Sequence, residues 1–262
     1  GASIAALFLA GYIPGILTGL FLMIVASIWA KKKGYKVGKR SNFKDILKTF
    51  VAALPSLFLL VLVIGGIVTG IFTATEASAI AVLYTLLLGM FYKEITIKTL
   101  PKVLLDSAST TAIVMLLIGA SMSMSWVLSY ENIPQDISSG LLSISDNKIV
   151  ILLIINLLLL FVGIFMDMTP AVLIFTPIFL PVVTKLGLDP VHFGIIMILN
   201  LCIGLCTPPV GSVLFVGVGV AKTTIEKVIK PLMPLFVAMI IALFLVTYFP
   251  QLSLWLPSLF DL

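Results

Sequence analysis

Charged residues are scarce in this chain. Of its 262 residues, 10% are Asp, Glu, Lys or Arg and 61% are hydrophobic, and the mean hydropathy is +1.26. A soluble domain contains about 25% charged and about 45–50% apolar residues, whereas a disordered chain combines low hydrophobicity with high charge. The composition therefore excludes both a water-soluble globule and a disordered protein.

The residue types that build most active sites are also few. The chain has one histidine and two cysteines, Cys202 and Cys206, which lie four residues apart within an apolar stretch. This spacing gives neither a disulfide framework nor a metal site. The sequence also lacks a phosphate-binding glycine loop, a Ser/His/Asp set and the soluble basic face of a nucleic-acid-binding protein. We therefore expect no enzyme activity, no organic cofactor and no nucleic-acid partner.

Long apolar stretches dominate the sequence instead. A membrane-spanning helix needs about 20 apolar residues, so the chain has room for six or more spans. We predict an all-α polytopic membrane protein embedded in a lipid bilayer. The apolar stretches cover residues 4–30, 51–71, 74–92, 103–129, 149–165, 171–184, 191–221 and 231–250.

The basic residues indicate which loops face the cytoplasm. Eight of the 16 Lys and Arg residues lie between Lys31 and Lys48, three lie in 93–102 and three in 222–230. Lys and Arg concentrate in cytoplasmic loops. If the 31–48 linker is cytoplasmic and the spans are counted from it, 14 basic residues lie on the cytoplasmic side. Two, Lys148 and Lys185, lie on the outer side.

Local signals predict several helix boundaries and contacts. Residues 41–50 mix charged and apolar side chains, as an interfacial helix does. Thr73 and Glu76 have the spacing of a capping box, and Asp189-Pro190 is typical of an N-cap followed by an N1 proline. Glycines at every fourth position from Gly11 to Gly19 suit close helix packing in lipid.

The segment Gly163–Pro170 interrupts the pattern of complete spans. Its apolar arms are short, 17 residues (149–165) and 14 residues (171–184), and the second arm contains two prolines. Short arms around a polar tip predict a re-entrant hairpin. Asp167 is then the one carboxylate deep in the bilayer, where an acid is costly without a function. The alternative is that both arms cross fully and Asp167 lies in an ordinary interfacial turn.

A second interruption is Thr207-Pro208-Pro209-Val210-Gly211. Consecutive prolines remove two N–H groups and disfavour helix at the preceding residue. We therefore predict half-helices over 191–206 and 212–221, with an unwound stretch whose bare carbonyls suit Na⁺. A simple proline kink is the alternative. Two polar stripes lead to the interruptions: Asn156, Gly163 and Asp167 on one helix, and Asn200, Gly204 and Thr207 on the other.

At these motifs the sequence resembles a known family. The runs Gly65–Ala77, Met166–Pro170, Asp189–Gly194 and Gly204–Gly211 are similar, in this order, to the large membrane subunit of TRAP (tripartite ATP-independent periplasmic) transporters. The resemblance covers the whole chain but only the C-terminal half of that subunit, so we expect a longer protein. Residues 73–76 depart from the family, which more often has proline at position 74.

The resemblance implies an elevator-type transporter with two inverted repeats, of which this chain supplies one, with its hairpin and broken helix. It implies Na⁺-driven uptake of an organic carboxylate, such as a C4-dicarboxylate or sialic acid, across the bacterial inner membrane. A periplasmic substrate-binding protein would deliver the substrate, and a small membrane subunit, separate or fused, would accompany the large one.

By motif match, the tip Gly163–Pro170 and the break Thr207–Gly211 would form the Na⁺ and substrate half-site of the second repeat. We expect Na⁺ at Asp167, Thr207 and nearby backbone carbonyls, because a hard cation needs oxygen ligands. The full set of candidate substrate and Na⁺ residues is Gly163, Met166, Asp167, Met168, Thr169, Asn200, Gly204, Cys206, Thr207, Pro208, Pro209 and Gly211. The alternative function is a membrane scaffold or an intramembrane enzyme that uses Asp167. Aspartyl chemistry needs a second deep carboxylate to share a proton, and the sequence offers none.

These features divide the chain into four predicted segments. Residues 1–50 form a scaffold-type span, the basic linker and the interfacial helix, and residues 51–148 form transmembrane helices. Residues 149–221 contain the hairpin and the discontinuous helix, which supply half of the transport site. Residues 222–262 form a cytoplasmic amphipathic turn and the last span.

The charge distribution makes the topology testable. We expect residues 34–42 to face the cytoplasm and residues 131–147 to face the periplasm, because of the excess of basic residues on one side. Single cysteines placed in each segment, after replacement of Cys202 and Cys206, are probed in intact cells with an impermeant thiol reagent. Only a cysteine in 131–147 should react before lysis, and labelling of 34–42 from outside would overturn the assignment.

Overall fold

The computed structural model describes residues 2–35, 38, 42–145, 147–208 and 211–260. These residues form twelve α-helices and contain no strand. The helices are α1 (Ile4–Ala10), α2 (Tyr12–Lys33), α3 (Phe43–Val68), α4 (Ala74–Phe91), α5 (Leu100–Tyr130), α6 (Ile133–Ile144), α7 (Lys148–Phe165), α8 (Met168–Lys185), α9 (Pro190–Leu205), α10 (Ser212–Val220), α11 (Ile225–Tyr248) and α12 (Gln251–Ser258).

Seven helical segments among the described residues are long and apolar enough to cross a membrane. The first combines α1 and α2, and the others are α3, α4, α5, α7, α8 and α11. Helix α9 is equally apolar but has only 16 residues. The prediction of an all-α polytopic membrane protein is therefore confirmed. The four functional segments predicted from the sequence stay a prediction.

The chain folds into two compact units, Gly1–Lys33 with Met115–Leu262, and Gly34–Val114. In the second unit, α3 and α4 pack together, and Tyr84 donates a hydrogen bond to the Pro55 carbonyl at 2.6 Å. The capping box before α4 is confirmed: the Thr73 N–H donates to Glu76 Oε2 at 2.8 Å, and the Glu76 N–H donates to Thr73 Oγ1.

The core of the first unit lies between α7, α8, α9 and α11. The fully buried apolar side chains come from all four helices, and they are Ile151, Ile155, Leu159, Val182, Val183, Ile196, Leu201, Leu243 and Val246. Helix α7 packs against α9, α11 against α2 and α9, and α6 against α8. Helices α7 and α9, the first arm of the hairpin and the first half of the broken helix, therefore supply much of the core of this unit.

Helix α8 contains two prolines beyond its first turn, Pro177 and Pro181, and a side chain from α5 compensates for one of them. Pro177 has no N–H to donate to the carbonyl of Leu173, four residues earlier. The Ser121 hydroxyl donates to that carbonyl at 3.1 Å. The bond ties α5 to the returning arm of the hairpin at the point where the helical ladder is interrupted.

Three local predictions differ from the structure. The interfacial helix and the following span form one helix, α3. No glycine or proline lies at the predicted boundary between Phe50 and Val51, so nothing ends the helix there. The 131–147 segment contains α6, whose buried face includes Pro134, Ser138 and Leu141. The glycine ridge is not a close helix contact within the described chain: a Cβ at Gly15 or Gly19 would meet no atom within 4 Å, and one at Gly11 would lie 3.9 Å from Ile195 Cδ1, an ordinary van der Waals distance.

The close contact between helices occurs at a different pair of glycines. A Cβ built on Gly204 of α9 would lie 2.6 Å from the Gly163 Cα of α7, and a Cβ on Gly163 would lie 3.1 Å from the Gly204 Cα. Both are backbone atoms and cannot move aside like a flexible side chain. The α7–α9 packing therefore requires glycine at both positions.

We expect Gly204→Ala to destabilise the protein by roughly 1–3 kcal/mol, the usual cost of overpacking, and Gly163→Ala to destabilise it less. Gly119→Ala in α5 is the control, because its Cβ would meet no atom within 4 Å. The unfolding temperatures of the three full-length variants, measured in detergent, show their order of stability. Equal unfolding temperatures for Gly204→Ala and Gly119→Ala would contradict the proposed backbone contact.

Candidate functional site

The hairpin tip is a turn of two residues. Helix α7 ends at Phe165, α8 begins at Met168, and Asp167 caps α8 by accepting a hydrogen bond from the Met168 N–H through Oδ1 at 2.9 Å. Its Oδ2 makes no hydrogen bond with the described residues. The turn starts α8 earlier than the sequence predicts, so each arm has 18 residues.

Asp167 is exposed in this chain. No described helix of this chain covers the tip, and the depth of Asp167 in the bilayer stays a prediction. Whether the hairpin enters and leaves on one side stays a prediction, since both arms are long enough to cross by length and composition.

The second interruption is a true break between two helices. Helix α9 ends at Leu205 and α10 begins at Ser212, close to the predicted bounds of 206 and 212. Residues 208 and 209 are both proline, so neither supplies an N–H to the Leu205 carbonyl, three and four residues earlier. Pro209 itself lies outside the described residues. The alternative of a simple proline kink is excluded, because the described residues between the two helices, 206–208 and 211, are not helical.

Thr207 and Gly211 shape the chain after α9. The Thr207 hydroxyl donates to the Ile203 carbonyl at 2.8 Å, which leaves its oxygen lone pairs free to face a ligand. The Gly211 N–H donates to the Thr207 carbonyl at 3.1 Å. A Cβ on Gly211 would collide with the Leu205 carbonyl oxygen, so only glycine lets the chain fold back over the helix end.

The two polar stripes predicted from the sequence face each other. Asn200 Nδ2 donates to Asn156 Oδ1 at 2.8 Å, and one to two turns further along the helices Gly163 touches Gly204. The last members of the stripes, Asp167 and Thr207, each lie two residues beyond the end of their helix. The stripes therefore join α7 to α9 and lead to both helix ends.

The two helix ends have the electrostatics of a cation site. The last carbonyls of a helix have no intrahelical donor and carry partial negative charge. Because Gly163 and Gly204 are in contact within the last turn of each helix, the C-termini of α7 and α9 are close together. The Gly163 carbonyl oxygen lies 3.0 Å from a Cβ built on Gly204, so it is turned towards α9. Asp167 adds a formal negative charge beside this pair.

The other candidate residues have varied surroundings. Met166, Met168 and Cys206 are half-buried against the core, whereas Thr169 is exposed and Asn200 is fully buried. Both cysteines are free thiols, and Cys202 Sγ lies 3.8 Å from Met168 Sδ, which joins α9 to the first turn of α8.

Sequence reasoning missed two members of this region. Thr247 of α11 accepts a hydrogen bond from Asn156 Nδ2 at 3.3 Å through Oγ1, and its carbonyl accepts one from His192 Nε2 at 3.3 Å. Both Thr247 and His192 are buried. The one available signal is a single threonine late in an apolar run, which is too common in membrane helices to identify a partner.

A cavity of about 520 Å³ opens beside Thr207 and Pro208, between α7, α9 and α11. The rest of its lining is apolar and consists of Leu160, Phe161, Ile164, Ile203, Ile229, Met233, Phe236 and Ile240. A carboxylate finds no basic side chain there, so this cavity does not suit an organic anion.

Comparison with known proteins identifies the family of the chain. The family model described as "Tripartite ATP-independent periplasmic transporter, DctM component" matches residues 1–252. The uncharacterized protein YgiK of Salmonella typhimurium is 58% identical over 99% of this chain and 60% of its own length. The sialic acid TRAP transporter large permease protein SiaM of Vibrio cholerae is 42% identical over 98% of this chain and 61% of its own length.

A third relative, the C4-dicarboxylate TRAP transporter large permease protein DctM of Pseudomonas aeruginosa, is 40% identical over 98% of this chain and 60% of its own length. The chain thus spans about 60% of the length of these relatives. SiaM and DctM are named as transporter permeases and not as enzymes. The chain belongs to the DctM-component family of tripartite ATP-independent periplasmic transporters.

Proposed function

We propose that the protein containing this chain imports an organic carboxylate by secondary transport coupled to Na⁺. The observation that carries the proposal is the meeting of two helix C-termini at Gly163 and Gly204, with Asp167 and Thr207 just beyond them. Family membership supports transport, and the helix ends support a coupling cation. Unwound carbonyls and half-helix C-termini bind Na⁺ in other secondary transporters.

The oxygen atoms at this place suit a hard cation. Hard cations take carboxylate, carbonyl and hydroxyl oxygens, and the described chain offers all three kinds here. The last turns of α7 and α9 offer helix-terminal carbonyls, Thr207 offers a hydroxyl, and Asp167 offers Oδ2. The carboxylate charge lowers the free energy of a cation held away from bulk water.

The substrate requires the opposite electrostatics. A helix N-terminus favours an anion, and α10, which begins at Ser212, has Gly211 as its N-cap and so lacks a side-chain cap. We infer that a substrate carboxylate binds near the start of α10, next to the cation. The relatives named for sialic acid and C4-dicarboxylates support an organic acid as the substrate class.

The complete transporter needs parts outside this chain. We infer that it lies in the bacterial inner membrane, receives substrate from a periplasmic binding protein and contains a small membrane subunit. We also infer an elevator movement of the hairpin and broken helix. Uptake of labelled organic acids into proteoliposomes holding the whole complex, with and without a Na⁺ gradient, tests the function. Uptake that is independent of Na⁺ would contradict the coupling.

We expect Asp167→Asn to raise the Na⁺ concentration for half-maximal uptake. Asparagine caps a helix as well as aspartate does, so α8 should keep its start and lose only the charge. Two unit charges 4 Å apart in water interact by about 1 kcal/mol, which sets a lower limit of about fivefold. The Na⁺ dependence of uptake in proteoliposomes measures the shift.

Asp189→Asn is the matched control for this charge change. Asp189 caps α9 by accepting from the Val191 N–H at 2.7 Å, and it lies at the end of α9 opposite the break. The same substitution there should leave the Na⁺ dependence unchanged. Equal shifts in Asp167→Asn and Asp189→Asn would show a general charge effect and contradict the site.

We expect Thr207→Val to raise the same half-maximal Na⁺ concentration, because it removes one oxygen ligand without changing the side-chain shape. A polar contact to a charged group contributes about 1.5 kcal/mol, which corresponds to about tenfold. Thr184→Val is the control, since Thr184 makes the same 2.8 Å hydrogen bond to the carbonyl four residues earlier but lies at the far end of α8. A variant that inserts, transports and keeps the parental Na⁺ dependence would remove Thr207 from the site.

A further inference from the structure

Three helices share a buried polar cluster inside the apolar core. Asn156 of α7, Asn200 and His192 of α9, and Thr247 of α11 are each at most 1% exposed. Burying such groups is costly unless they are hydrogen-bonded, and apolar helices pack without them. Their presence between α7 and α9 therefore calls for a role other than filling the core.

The centre of the cluster is the pair Asn156 and Asn200. Asn200 Nδ2 donates to both the main-chain carbonyl and Oδ1 of Asn156, at 2.9 and 2.8 Å. Asn156 Nδ2 donates to the Leu152 carbonyl at 2.9 Å and to Thr247 Oγ1 at 3.3 Å. Both functional ends of the Asn156 side chain are thus engaged, and the Leu152 carbonyl holds Nδ2 independently of Thr247.

Asn200 is not the residue that stability alone would place there. Its Oδ1 is buried and has no hydrogen-bond partner among the described residues. A buried acceptor without a donor is destabilising, and a leucine of similar size would avoid this loss. Polar groups in a core can instead specify one alignment of two helices, as a single buried asparagine does in a coiled coil.

The alignment of α7 on α9 matters because of what lies at their ends. A slip of one turn moves a helix by about 5.4 Å and would take Gly163 away from Gly204. The apolar neighbours do not prevent such a slip, since the face of α7 repeats Ile151, Ile155 and Leu159 at helical spacing. The double hydrogen bond to one asparagine has no equivalent one turn away.

We propose that Asn156 and Asn200 are positioning residues, which lock the register of α7 on α9 and so hold the carbonyl ends of both helices at one cation site. This inference rests on the proposed function. It assigns Asn200 a role that acts through the helix ends and not as a cation or substrate ligand.

The register is measured first, without Na⁺ or substrate. Cys202 Sγ lies 3.8 Å from Met168 Sδ, so Met168→Cys in a Cys206→Ala full-length protein creates a thiol pair between α8 and α9. A short bifunctional methanethiosulfonate joins the two thiols. We expect Asn200→Leu to slow the cross-linking on the order of threefold to tenfold, since each hydrogen bond in a membrane core is worth roughly threefold.

Thr247→Val is the matched control. It preserves shape and removes one hydrogen bond from the same cluster, but it leaves both bonds between Asn156 and Asn200. Its cross-linking rate should equal that of the parent. Labelling of Cys202 alone with a monofunctional reagent corrects for changes in thiol reactivity. Where Asn200→Leu does not fold, Asn200→Ala replaces it with the same expectation.

The second measurement is Na⁺-dependent uptake by the whole complex in proteoliposomes, with Met168 and Cys206 intact. Asn200→Leu should raise the half-maximal Na⁺ concentration at least about threefold, and Thr247→Val should not. Slower cross-linking together with this shift supports the proposal. Unchanged cross-linking, or equal effects of Asn200→Leu and Thr247→Val, overturns it.

Asp167→Asn separates this inference from the proposed function. If Asp167→Asn shifts the Na⁺ dependence and Asn200→Leu does not, the positioning role is wrong and the cation site stands. If neither variant shifts it, the cation site is wrong, and the positioning role is overturned with it.

Discussion

Backbone carbonyls without donors are the constraint around which the first unit is organised. In a bilayer, water cannot satisfy such groups, so protein must do so or the site must hold something that does. Both ways of satisfying such a carbonyl are relevant to this unit. Pro177 deprives Leu173 of its donor and Ser121 replaces it, whereas Pro208 and Pro209 have no N–H to give to the Leu205 carbonyl at the end of α9. One proline is thus used for helix packing, and the other two end a helix beside the proposed cation site.

Much of this arrangement could be predicted from the sequence because it depends on local chemistry. Proline fixes where a helix loses its ladder, so the break after Leu205 and the restart at Ser212 follow from residues 207–211. Aspartate and threonine cap helices through their nearest neighbours, as Asp189 and Thr73 do. The two polar stripes also followed from helical spacing alone.

The sequence could not show which polar stripe would pack against which helix. Asn156 and Asn200 are 44 positions apart, and helical periodicity says nothing about pairing across such a separation. The glycine ridge on α2 had the same pattern as a packing face, yet the contact forms at Gly163 and Gly204, which are isolated glycines.

Helix α6 was missed because a short amphipathic helix has too few turns to stand out between long apolar runs. Exposure of Asp167 is a property of the assembled protein, so this chain alone does not determine it.

The contact at Gly163 and Gly204 has a consequence for how motion passes through the molecule. Most helix interfaces meet through side chains with several rotamers, and these can absorb a small displacement and cost conformational entropy to order. Two touching glycines have no rotamers to exchange. If the first arm of the hairpin moves at this level, its backbone pushes directly on the backbone of α9, with no side chain between them to yield. This contact is stiff, and ordering it costs no side-chain entropy.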